Sequence, residues 1–137
     1  MLSDTVKKYY SVDFGLNCAE SVLYAANEEY GLGLDKSALK TMAAFGGGMG
    51  VEEACGAMTG SLAALGVIFV KDRAHESDKI KLLTKEFIRD FKEKLSTDNC
   101  RDLKEIFKND KNKCEYIVVV AAQILDDIVR KEVGYRM

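Results

Sequence analysis

Four cysteines carry the reactive chemistry of this 137-residue chain: Cys18, Cys55, Cys100 and Cys114. A thiolate is a nucleophile, half of a dithiol/disulfide redox couple and a soft metal ligand. The intervals between the four hold 36, 44 and 13 residues. No Cys-x-x-Cys occurs, so zinc-knuckle pairs, thioredoxin-type motifs and the ferredoxin spacings are excluded. Any shared site has to be assembled by the tertiary fold. The single histidine, His75, sits between Arg73 and Glu76 in a polar loop and reads as a surface residue. That disfavours His-based acid–base catalysis and Cys–His protease chemistry.

The local setting of each cysteine says more than the spacing. Cys18 follows Asn17, an N-cap residue type, and Cys114 comes two after Asn112. Cys55 opens an uncharged, glycine-rich run, and Cys100 lies just after Thr97 and Asp98, either of which could cap a short helix. All four therefore fall in the first turn of a predicted helix, where unpaired amides and the helix dipole favour negative charge. Such positions lower a thiol pKa from about 8.5 toward roughly 3.5–7.5. Four clustered thiolates carry a large negative charge, and repulsion alone would keep some of them protonated. An iron–sulfur cluster or, second, zinc would remove that repulsion; so would dithiol/disulfide pairing. Arg101, Lys104 and Lys113 are close enough in sequence to offset residual charge. Glu52 and Glu53 adjoin Cys55 as a candidate base, and Met42, Met49 and Met58 read mainly as gap-filling core. The bland alternative is that free cysteines simply fill the core.

The elements that must position these residues read as helices. A first runs from about Ser3 to Ser11 and a second from about Cys18 to Tyr30. The second is opened by an Asn17–Glu20 capping pair and closed by Gly31. A third starts after Asp35 and ends at Gly46, Gly47 and Gly48; a fourth spans about Glu53 to Lys71. The fifth, about Ser77 to Leu95, carries one apolar stripe of Ile80, Leu83, Phe87, Ile88, Phe91 and Leu95. A short helix follows Cys100, and the last runs from about Lys113 to Val133, with Asn112 and Glu115 as a second capping pair. Tyr9, Tyr10 and Tyr24 are expected to pack between the first helices.

The chain is 47% hydrophobic and 31% charged, with no proline or tryptophan. That composition suits one globular domain spanning 1–137, large enough for a core without disulfide staples. A net charge of −2 argues against nucleic acid or an anionic membrane as partner. The charge-free run Ala54 to Val70 is at the short end of the membrane-spanning range and reads as a buried central helix. No apolar stretch follows a basic N-terminus, so no signal peptide is read and the expected compartment is cytoplasmic, where thiols stay reduced. The expected fold is all-α: a compact helical bundle of about five to seven helices around the Gly/Ala-rich helix.

Cys55-Gly56-Ala57-Met58-Thr59-Gly60 matches a Cys-Gly-Ala-x-x-Gly motif, with Asn17-Cys18-Ala19-Glu20 before it and Cys100 and Cys114 after it. In this motif and in cysteine order, over nearly its whole length, the chain resembles the C_GCAxxG_C_C family of small bacterial and archaeal proteins. Phe45 to Gly50 also suits it. The resemblance implies a redox role, and kinship with part of certain multi-domain cytochromes implies an iron–sulfur centre. It carries over Cys18, Cys55, Cys100 and Cys114 as candidate metal ligands or redox thiols. Gly56 and Gly60, four apart on one helix face, let a helix or a cofactor approach the backbone closely. Gly46 to Gly50 lacks a P-loop ending and reads as a turn that frees Cys55 to meet its partners.

Three readings stay open at this stage. The first is an electron-transfer protein with a four-cysteine metal site and an unidentified redox partner protein. The second is a metal-free thiol–disulfide oxidoreductase with Cys55 as the attacking thiol. The third is a non-enzymatic binding or scaffold protein with packed cysteines. A homo-oligomer is compatible with each.

Overall fold

The computed structural model describes residues 1–133. Among them the protein is all-α, with seven α-helices and no named strand. They are α1 (Leu2–Tyr10), α2 (Cys18–Tyr30), α3 (Lys36–Leu39), α4 (Gly56–Phe69), α5 (Lys79–Leu95), α6 (Cys100–Phe107) and α7 (Glu115–Val133). No helix among the described residues is long and apolar enough to cross a membrane.

Helix α2 begins as its capping signal dictates. The Asn17 Oδ1 accepts the Glu20 amide at 2.8 Å, and the Glu20 carboxylate accepts the Asn17 amide at 3.0 Å. Two amides left unpaired by the helix are thereby satisfied. Gly31 closes the helix in the left-handed conformation.

Helix α4 packs most extensively against α2 and also meets α5 and α7. The reason lies in its small residues. A Cβ on Gly60 would stand 2.5 Å from the Ala19 carbonyl oxygen, so only glycine allows α2 this close. Around this pair the core is built from Phe87, Phe91 and Leu95 of α5, Leu103 of α6, and Ile117, Ile124, Leu125 and Ile128 of α7. The periodic stripe of α5 supplies its four buried residues, Leu83, Phe87, Phe91 and Leu95, as its spacing requires. On α7, Asp126 is buried and accepts hydrogen bonds from the Tyr30 hydroxyl at 2.7 Å and the Arg130 Nε at 3.0 Å, tying α7 to α2.

Several boundaries differ from the sequence reading. The third helix stops at Leu39 and tightens into a 3₁₀ stretch through Phe45. Helix α4 starts at Gly56, because the chain from Gly47 to Glu52 winds through four positive-φ residues besides Met49 rather than a helical turn. The α6 cap is Asn99, whose side chain accepts the Asp102 amide, rather than Thr97 or Asp98. Helix α7 starts at Glu115, not Lys113. Lys113 has φ 56° and pairs backbone to backbone with Asn109, so Asn112 belongs to a turn. At α4 and α7 a tight turn consumed residues that side-chain periodicity alone assigns to the helix.

Candidate functional site

The four cysteines sit at four helix starts. Cys18 and Cys100 are the first residues of α2 and α6. Cys55 is the N-cap of α4, and Cys114 immediately precedes α7. All are free thiols, and all four line one cavity of about 480 Å³.

Two backbone ties bring Cys55 to Cys100. The Cys55 amide donates to the Asp98 carbonyl at 2.9 Å, and the Cys100 amide donates to the Glu53 carbonyl at 2.6 Å. The glycine-rich turn makes this possible: a Cβ on Gly48 (φ +62°) would meet the Glu53 amide nitrogen at 2.4 Å and the Cys100 Cβ at 2.7 Å. On the opposite side the Cys114 amide donates to the Tyr10 hydroxyl at 3.1 Å. That bond docks the start of α7 on α1. Gly56 borders the cavity and lies against the Ala19 amide and the Cys18 Cβ. Gly60, one turn further on, lies against Ala19.

The thiols are not equivalent. Cys18 and Cys114 influence each other as paired thiols. Hydrogen-bonding toward Cys18 brings the Cys114 pKa down to about 6, with Lys108, the Tyr10 hydroxyl and Lys104 adding to the effect against burial. The same pairing, with burial and the negative charge at Cys114, holds Cys18 well above the ordinary thiol range. Burial pushes Cys55 up to about 11, although the amides of Ala57 and Met58 favour its thiolate. Burial also raises Cys100, opposed by Lys104. Tyr10 is raised first by burial and then by the charge at Cys18. Placement at a helix start therefore does not by itself make these thiols acidic. Burial leads at Cys55, where it outweighs two helix-terminal amides, and at Cys100; the pairing with Cys114 leads at Cys18; and only Cys114, beside Tyr10 and two lysines, is lowered.

Cys55 and Cys114 are 4% and 7% exposed, so access to them runs through the cavity. Lys104, Lys108 and Lys113 line it, whereas Arg101 does not. Lys108 and Tyr10 escaped the sequence reading. Tyr10 had the signal of a core aromatic, and nothing local marks its hydroxyl for a residue 104 positions away. Glu52 faces Lys104 at 3.4 Å, and neither Glu52 nor Glu53 lines the cavity. Met42 and Met58 are buried in the core, while Met49 is exposed. His75 is exposed.

Among the described residues, no three Cys, His, Asp or Glu side chains are grouped so as to hold a metal ion. The donor chemistry at the cavity, four thiols and no histidine or carboxylate, is nonetheless the set that an iron–sulfur cluster uses.

The model of a family described as "Putative redox-active protein (C_GCAxxG_C_C)" matches residues 16–128, so the chain belongs to that family. The match covers all four cysteines. No curated protein and no solved structure matches the chain.

Proposed function

We propose that this member of the C_GCAxxG_C_C family uses its four-cysteine cavity as a thiol redox centre, with Cys114 and Cys18 as the reacting pair. The observation that carries this reading is the placement of Cys18 and Cys114 in one cavity with the Tyr10 hydroxyl, Lys104 and Lys108, surroundings that lower Cys114 and raise Cys18. An attacking thiol works best with a pKa near the ambient pH, and a resolving thiol must lie within reach of it. Cys114 meets the first requirement and Cys18 the second. This moves the attacking role from Cys55, whose burial keeps it protonated, to Cys114. Tyr10 serves as a positioning residue: its hydroxyl holds the Cys114 amide and stands beside both sulfurs.

A second reading is supported by the shared cavity itself. Cys18, Cys55, Cys100 and Cys114 would hold an iron–sulfur cluster, which supplies one-electron transfer when bound. Gly56 would let it approach the α4 backbone. The three protonated thiols would give up their protons on ligation. Lys104, Lys108 and Lys113 would offset part of the thiolate charge.

One sample separates the two. The protein is purified anaerobically, its iron, sulfide, zinc and free thiols are counted, and its visible spectrum is recorded. The dithiol reading expects no stoichiometric metal, four titratable thiols, and loss of two on mild oxidation with a Cys18–Cys114 disulfide found by peptide mapping. Stoichiometric iron and sulfide with visible absorption, diminished by Cys→Ser at each of the four positions, transfers the assignment to the cluster. Metal-free protein that forms no disulfide overturns both.

A further inference from the structure

We infer that the cavity admits small disulfides bearing acidic end groups, rather than a disulfide of a folded protein. The inference rests on the dithiol reading above and concerns what that pair reacts with.

Size is the first argument. Both reacting cysteines line a concave space of about 480 Å³, within the range of small-molecule pockets. With Cys114 7% exposed, a disulfide anchored in another globule has no approach to it. A free small molecule does.

Charge is the second. Three lysines, Lys104, Lys108 and Lys113, line the cavity, and no Asp or Glu does. This is a local reversal in a chain of net charge −2. Glu52 pairs with Lys104 from outside the lining, but Lys108 and Lys113 have no ion-pair partner among the described residues. A cleft with one sign of charge and low-dielectric walls concentrates ligands of the opposite sign. The body of the cavity is contributed by Tyr10, Leu16 and Ile117. It therefore suits an organic chain with an anionic end.

The reaction balances as a two-electron exchange. The Cys114 thiolate attacks one sulfur of the small disulfide. Its S–S bond breaks, a mixed disulfide forms, and the first small thiol leaves. Cys18 then gives up its proton and attacks the Cys114 sulfur. The mixed disulfide breaks, the Cys18–Cys114 disulfide forms, and the second small thiol leaves. The protein pair is oxidised and the small disulfide is reduced. One departing thiolate takes the Cys18 proton and the other takes one from solvent.

The test compares three small disulfides of similar size on the reduced, full-length protein in a single turnover. These are dithiodipropionate (anionic), hydroxyethyl disulfide (neutral) and cystamine (cationic). At low salt the anionic probe is expected to form the mixed disulfide at least about tenfold faster than the cationic one, with the neutral probe between. The ratio should shrink with added salt. A triple Lys104→Gln, Lys108→Gln, Lys113→Gln variant, verified as folded by circular dichroism, should bring the ratio toward one. The ratio compares probes on the same thiolate, so any change in Cys114 acidity cancels. Equal rates in the parent protein, or a faster cationic probe, overturn this inference alone. Transfer to none of the three overturns the dithiol reading and this inference with it.

Discussion

The Tyr10 hydroxyl accepts the Cys114 amide at 3.1 Å, joining the last residue of α1 to the residue that opens α7. The same hydroxyl lies beside the sulfurs of Cys114 and Cys18 and favours the thiolate form of each. One side chain thus fixes the backbone at the site and tunes its acidity.

Tyr10→Phe removes that acceptor while keeping the ring. An amide buried at the site loses its partner, so stability should drop by about 1–3 kcal/mol in denaturant titration. The Cys114 pKa should also rise from about 6, read from the pH dependence of its alkylation rate. A stability loss with an unchanged pH profile would reduce Tyr10 to a packing residue.

Cys18→Ala removes the largest influence on Cys114. The midpoint of its alkylation profile should move from about 6 toward the ordinary thiol value of about 8.5. Cys100→Ala, which removes a thiol that is not among the main influences on Cys114, should move it far less. Equal shifts in the two variants would show that the acidity comes from elsewhere in the cavity.

The pH dependence of folding should change sign within the alkaline range. Cys114 has a folded pKa below its unfolded value, so its contribution is present above about pH 8.5 and is lost as pH falls through 6. Cys55 has a folded pKa raised to about 11, so its contribution is present below about pH 8.5 and is lost as pH rises through 11. Urea titrations of the reduced protein should show these terms, with stability rising from pH 6 to 8.5 and falling beyond it. Cys55→Ala should lessen the alkaline decline, to which the raised Cys18 and Cys100 also contribute, and leave the rise between pH 6 and 8.5 in place.

Gly60 and Gly66 lie on the same helix with opposite surroundings. A Cβ at Gly60 would strike the Ala19 carbonyl, whereas one at Gly66 meets nothing within 4 Å. Gly60→Ala should cost about 1–3 kcal/mol by forcing α2 from α4. Gly66→Ala should stabilise by about 0.4–1 kcal/mol through the unfolded chain. Thermal melts of both variants check the pair.

Much of the architecture is legible in the residue order because it is local. The Asn17–Glu20 pair marks the start of α2 within a single turn, and Phe87 and Phe91 announce the buried face of α5 by their spacing. The small residues at Gly56 and Gly60 signal close packing on α4, since no larger side chain permits it. The failures are local as well. Positive φ at Met49, Glu52 and Lys113, in residues other than glycine, gives no compositional warning, and there the helix boundaries shift.

The acidity of the thiols is a different kind of property. Sequence alone determined that the chain is helical, that it carries four cysteines at helix starts, and that no short motif pairs them. Only the tertiary structure decided which thiol ionises. That depends on desolvation and on donors such as Cys18, Tyr10 and Lys108, which reach Cys114 through space from three separate segments. Propensities act over a few bonds along the backbone. A proton responds to every charge and dipole within several ångströms, whatever their separation along the chain.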